Sequence, residues 1–65
     1  MIHTIIELER DCEDGIDAFQ VEVFGVWNGE MEVVDARRDG SPFSLQGKEF
    51  DRAEKALMDK YEGEL

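Results

Sequence analysis

Among the side chains that could do chemistry, this 65-residue chain has 17 acidic residues but one cysteine and one histidine. Cys12 is its one cysteine and His3 its one histidine, so they cannot form a disulfide within the chain or a Cys/His zinc site. Cys12 lies between Asp11 and Glu13, and neighbouring carboxylates disfavour the thiolate that nucleophilic chemistry needs. We therefore expect no enzyme activity and no cofactor.

The acidic residues around Gly15 suggest a calcium loop at first sight. An EF-hand loop places ligands at its first, third and fifth positions and a glycine at its sixth. With Gly15 in the sixth position, Arg10 falls in the first, where a ligand is required. The sequence therefore predicts a solvated acidic turn and no metal site, with an irregular, weak cation site as the alternative. The acids concerned are Asp11, Glu13, Asp14 and Asp17.

The formal net charge of −10 is unevenly distributed along the chain. Residues 1–35 hold ten acids and one base, for a net charge of −9, whereas residues 36–65 hold seven acids and six bases, for −1. Binding to DNA or RNA requires Lys and Arg near the phosphates, so the field of this chain has the wrong sign. We expect no direct nucleic-acid binding. The acidic excess serves either solubility or a basic protein partner.

The length of the chain limits its organisation to a single domain over residues 1–65. No segment approaches the roughly 20 apolar residues of a membrane span, so we expect no membrane contact and a cytoplasmic location. A domain of this size buries only about 60% of the surface that its unfolded chain exposes. Small domains are often stabilised by a disulfide, a structural metal or association with another subunit. Because we predict neither a disulfide nor a metal, we also expect a homodimer.

Two β-branched and aromatic runs flank Asn28-Gly29 and predict a hairpin over residues 19–36. Asn-Gly suits a two-residue type I′ turn, which needs positive φ at both central positions. Residues 2–10 alternate and predict a further strand. Its apolar face would carry Ile2, Thr4, Ile6 and Leu8, and its more polar face His3, Ile5, Glu7 and Glu9.

Closing the hairpin at Asn28-Gly29 distributes its apolar side chains over both faces. Either a bulge at Gly25 shifts the side-chain parity and collects them on one core face, or both faces are covered, one of them by a second subunit or a partner. The sequence leaves both alternatives open. The candidate apolar interface consists of Phe24, Val26, Trp27, Met31 and Val33.

The last third of the chain predicts one amphipathic helix over residues 48–62. Gln46 and Glu49 have the spacing of a capping box, and Gly63 suits the position after the helix. The apolar stripe consists of Phe50, Ala53, Leu57 and Tyr61. The predicted class is therefore α+β, with a three-stranded antiparallel meander and one C-terminal helix packed on one face.

This order of elements resembles small phage and prophage accessory proteins with a β-β-β-α plan. The strand, the Asn-Gly hairpin, the segment Val-Val-Asp-Ala-x-x-x-Gly, the Leu-led entry and the acidic helix carry the resemblance over residues 21–62. Gln46-Gly47 departs from the Ser, Thr or Asp that usually begins the helix there. The resemblance implies a viral protein in the host cytoplasm, in some cases an inhibitor of a host system, and it carries over no functional residue.

We expect a small acidic protein-binding module that modulates or inhibits another protein through its sheet. In one variant its carboxylates mimic the DNA backbone in the binding site of a host protein. The alternative is a structural homodimer whose second subunit covers the sheet. The candidate acidic patch consists of Glu7, Glu9, Glu22, Glu30, Glu32 and Asp35.

Overall fold

The protein folds as one antiparallel sheet with one helix across it. The computed structural model describes residues 1–64, with side chains described through residue 63. The sheet has the order β1-β2-β3-β4, and all three strand pairs are antiparallel. This confirms the α+β class. The elements are β1 (Ile2–Cys12), β2 (Gly15–Trp27), β3 (Met31–Arg38), β4 (Ser41–Pro42) and α1 (Lys48–Glu64).

The predicted count of three strands is wrong, because a fourth short strand follows β3. Arg38 pairs with Ser41 around the two-residue turn Asp39-Gly40, whose φ angles of 53° and 82° are both positive. Positive φ at both positions is what a type I′ turn needs. β4 lies at the edge of the sheet, where the missing N–H of Pro42 is tolerated.

The predicted two-residue turn at Asn28-Gly29 is also wrong. Trp27 pairs with Met31, so the loop holds three residues, 28–30, and the register is shifted from the predicted one. In this loop Gly29 alone has a positive φ, of 102°. The Asn28 N–H donates to the Glu30 carbonyl at 3.2 Å, which closes the loop without a type I′ turn.

A β-bulge lies next to Gly25, where one of the two alternatives placed it, but it does not collect the apolar side chains on one face, because Phe24 and Val26 stay on the other. Gly25 pairs with Val33 and Phe24 pairs with Asp35, so Val34 is an extra residue on β3. Inserting one residue reverses the side-chain parity of the strand. Met31 therefore faces the helix before the bulge and Ala36 faces it after the bulge, and both side chains are buried.

The core lies between the helix and one face of the sheet. The predicted apolar face of β1 is confirmed, since Ile6 and Leu8 are buried there. Leu57 and Ala53 are fully buried on the helix, whereas Phe50, predicted to belong to the core stripe, is 48% exposed. The buried set consists of Ile6, Leu8, Phe19, Val21, Val23, Met31, Ala36, Leu45, Ala53 and Leu57.

The start of the helix is attached to the sheet by Arg10. Its guanidinium donates to both carboxylate oxygens of Glu49, at 2.8 and 3.0 Å, and to the Ser44 carbonyl at 3.1 Å. It also lies over the ring of Phe43, 4.7 Å from the centroid. Glu49 accepts a bond from the Gln46 N–H at 2.9 Å, which is one half of the predicted capping box.

Candidate interaction surface

The face of the sheet opposite the helix is the main surface on which side chains of different strands come together. Helix α1 packs on the face that carries Val21, Val23 and Ala36, and successive strand residues point to opposite faces. We call the other side the helix-free face. From the strand register it carries His3, Ile5, Glu7, Glu9, Ala18, Gln20, Glu22, Phe24, Val26, Glu32, Asp35 and Arg37.

Two cross-strand rows organise the centre of the helix-free face. One row joins His3, Phe24 and Asp35, and the next contains Glu22 and Arg37. The His3 ring lies 5.8 Å from the Phe24 ring, and its Nδ1 atom is 3.6 Å from a Glu22 carboxylate oxygen. Arg37 Nε donates to Asp35 at 3.2 Å. Both basic side chains of this region thus lie beside carboxylates.

Five of the six residues predicted as an acidic patch share the helix-free face, with Glu9 and Glu32 at its opposite ends, and Glu30 lies apart in the loop after β2. Glu22 and Asp35 each contact a basic side chain. Among residues 1–64, the salt bridges do not involve the carboxylates of Glu7, Glu9 and Glu32. The helix-free face therefore has a mixed centre, with Glu7 and Glu9 toward one end and Glu32 toward the other.

The five residues predicted as an apolar interface do not form one surface. Met31 is buried under the helix, and Val33 packs against the same core. The Trp27 ring stacks on Tyr61 of the helix, with centroids 5.0 Å apart. Phe24 and Val26 are half-buried, and the strand register places both on the helix-free face.

Two exposed apolar residues that were not among the candidate interface residues also lie on this surface. Ile5 is 61% exposed and pairs with Glu22. The alternation of residues in β1 predicts that Ile5 lies on the more polar face, and this pattern was the signal for its exposure. Val34 is 46% exposed because it is the extra residue of the bulge, and no residue type in the sequence marks it as such.

The hairpin between β1 and β2 extends beyond the core as an acidic arm. Its side chains from residue 11 to residue 18 are exposed, including the free thiol of Cys12. Within residues 1–64, no group of three or more His, Cys, Asp and Glu side chains is placed to hold a metal ion. In the same range, no helix combines the length and the apolar composition needed to cross a membrane.

Comparison with protein-family models, with curated proteins and with solved structures finds no match to this chain. The helix-free face is therefore interpreted from its own side chains.

Proposed function

We propose that this protein is a small acidic protein-binding module whose helix-free face binds the basic surface of a partner protein. One observation supports this most strongly. Acidic side chains lie beside and at both ends of a group of half-buried and exposed apolar side chains on one face of the sheet. Apolar anchors within a charged rim are typical of protein interfaces.

The arrangement of the apolar residues favours binding over solubility alone. Single exposed apolar residues are ordinary on any protein. Here Phe24 and Val26 follow one another on the same face of β2, Ile5 lies on the neighbouring strand, and Val34 lies opposite in the bulge. A surface selected only for solubility has no need to place these four side chains in one area.

The partner should carry Lys or Arg at its contact surface. A shallow depression beside Arg37 is lined by Ile5, Gln20, Glu22, Asp39 and Gly40. It fits the apolar stem of a basic side chain against Ile5, with the charged group near the two carboxylates. The net charge of −9 over residues 1–35 would also steer a basic partner toward the sheet.

The DNA-mimic variant is a narrower form of this proposal. In that form the carboxylates of the helix-free face occupy the nucleic-acid site of a host protein, in the cytoplasm, as the resemblance to phage accessory proteins implies. The charge density of residues 1–35 supports it. The contact of Glu22 with His3 and the ion pair of Asp35 with Arg37 favour a mixed surface that binds a basic protein by shape as well as by charge.

The test is affinity capture from an extract of the source cells with three tagged baits. One is the wild type, and one carries Glu9→Lys, Glu22→Lys and Glu32→Lys on the helix-free face. The control carries Asp51→Lys, Glu54→Lys and Glu62→Lys, which are exposed on α1. Each set of three reversals changes the net charge from −10 to −4. Glu7 is left unchanged because, unlike Glu9, it also lines a groove between β1 and α1.

We expect a basic protein to be retained by the wild type and by the helix control and to be lost with the variant of the helix-free face. The captured protein should also be released as the salt concentration rises, because exposed charges are screened. Circular dichroism checks that each bait is folded. Equal retention by all three baits, or loss with the helix control alone, would contradict the proposal.

A further inference from the structure

The two edges of the sheet differ in how they are protected. At one edge, the two-residue β4 pairs only with Arg37 and Arg38, and the rest of β3 carries the bulge at Val34, where the Asp35 carboxylate accepts the Ala36 N–H at 2.9 Å. Bulges and charged groups are the usual means of preventing a further strand from pairing at an edge. At the other edge, β1 pairs with β2 over eleven residues without a register shift, and its outer side pairs with no strand in residues 1–64.

The first half of β1 also lacks charged side chains that would repel a further strand. Residues 2–6 read Ile-His-Thr-Ile-Ile and contain no Asp, Glu, Lys or Arg. Ile5 is exposed within this segment. A long, regular and apolar edge strand presents unpaired backbone groups to any chain of matching pattern. The segment is therefore the part of the sheet best suited to accept another strand.

The charges beside this edge favour a second copy of the same chain as the occupant. A groove between β1 and α1 is lined by Ile5, Ile6, Glu7, Arg52, Lys55, Ala56 and Asp59. Arg52 and Asp59 lie at its two ends, about two helical turns apart. A two-fold axis through the middle of the groove brings Arg52 of one copy toward Asp59 of the other, so the groove is complementary to itself.

We propose that β1 pairs antiparallel with β1 of a second copy, with the two-fold axis at Ile5. Side chains that pair across a continuous sheet share a face. A shift of one residue would pair side chains of opposite faces, so the allowed registers differ from one another by steps of two residues. With the axis at Ile5, His3 faces Glu7 of the second copy and Ile5 faces its own equivalent. With the axis at Thr4, Glu7 faces Met1 and loses its contact with His3; with the axis at Ile6, Ile5 faces a glutamate; and with the axis at Glu7, two glutamates meet.

This pairing produces an eight-stranded sheet with both helices on one side. The helix-free faces of the two copies then join into one surface, so self-association does not block a basic partner. Ile5 belongs to both surfaces, so the two proposals are tested at different residues: the dimer at His3, Ile5 and Glu7, and the binding of a partner at Glu9, Glu22 and Glu32. Added burial and backbone pairing would also stabilise a chain of this size.

The first test is the mass in solution, measured by sedimentation equilibrium at high micromolar concentration. We expect about twice the chain mass of 7.5 kDa for the wild type. Ile5→Lys should give a monomer, because two ammonium groups would meet at the axis. Ile16→Lys is the matched control and should stay dimeric, since Ile16 is 67% exposed and lies on the acidic arm. A monomeric wild type, or a dimer that survives Ile5→Lys, overturns the proposal.

The second test checks the register. His3→Glu should dissociate the dimer by placing glutamates opposite each other, and adding Glu7→Lys should restore it. Directly paired residues have Cα atoms about 4.5–5.5 Å apart, which a disulfide can span. In a Cys12→Ser background, Ile5→Cys should therefore cross-link rapidly on oxidation, and Ile16→Cys should do so slowly. No restoration by Glu7→Lys, or equal cross-linking at the two positions, would overturn the register.

Discussion

Replacing Gly25 with alanine is expected to lower the free energy of unfolding by about 1–3 kcal/mol through overpacking. A Cβ atom at this position would lie 2.8 Å from Leu57 Cδ1, 3.0 Å from Met31 Sδ and 3.0 Å from the Glu32 carbonyl oxygen. Leu57 is fully buried, so it has little room to move. Total stability for a domain of this length is about 3–10 kcal/mol, which makes the loss large. Urea denaturation followed by circular dichroism measures it.

Two further variants separate packing from other effects of the substitution. Gly63→Ala is the control, because a Cβ there meets no heavy atom within 4 Å, and its stability should change little. Leu57→Ala alone should cost about 2–5 kcal/mol. In the Gly25→Ala background it should cost less, because the clashing atom is removed, with a coupling of at least about 0.5 kcal/mol. If the two losses of free energy simply added, the Leu57 side chain would not be the atom group that clashes with a Cβ at position 25.

Replacing Glu49 with glutamine should remove the ion pair with Arg10 that attaches the start of the helix to the sheet. The hydrogen bonds from Arg10 hold the pKa of Glu49 below its ordinary value, and the same bonds raise the pKa of Arg10. A carboxylate with a lowered pKa stabilises the folded state at neutral pH. That contribution is lost as the pH falls below about 5, through the ordinary glutamate pKa of about 4.3 and then the lowered one.

We therefore expect Glu49→Gln to unfold at a lower temperature than the wild type at pH 7 and the difference to shrink toward pH 3. Arg10→Lys should lose most of the same contribution, because an ammonium group cannot make the two-pronged bond. Glu54→Gln, at an exposed position on α1, is the control and should leave the unfolding temperature unchanged. A difference between Glu49→Gln and wild type that persists unchanged at pH 3 would contradict this account.

The sequence predicted the elements of the fold better than their register. Periodicity placed β1 and α1 correctly, because each buries one regular apolar stripe against the core. The type I′ turn was assigned to Asn28-Gly29, whereas positive φ at two successive residues occurs at Asp39-Gly40. Local preference for a turn does not determine which hairpin adopts it, because the register of β3 on β2 also depends on the bulge at Val34 and on which side chains the core buries.

The candidate surface was predicted only in part for the same reason. The acidic residues of β1 and β2 were placed on one face correctly, since that part of the sheet has no irregularity. The apolar set mixed residues from both faces, because a bulge reverses parity beyond it and the sequence could not say on which strand the extra residue lies. The bulge therefore leaves Val34 exposed on the surface and Met31 buried in the core.

The most direct test of the helix-free face as the binding surface is methyl cross-saturation by NMR in the complex with the captured partner. The protein is deuterated with protonated methyl groups, and the unlabelled partner is irradiated. The valine methyls of Val26 and Val34 should lose intensity, whereas the methyls of Ala56 and Met58 on the helix should keep theirs. Loss confined to the helix methyls, with Val26 and Val34 unaffected, would contradict the proposal that this face binds the partner.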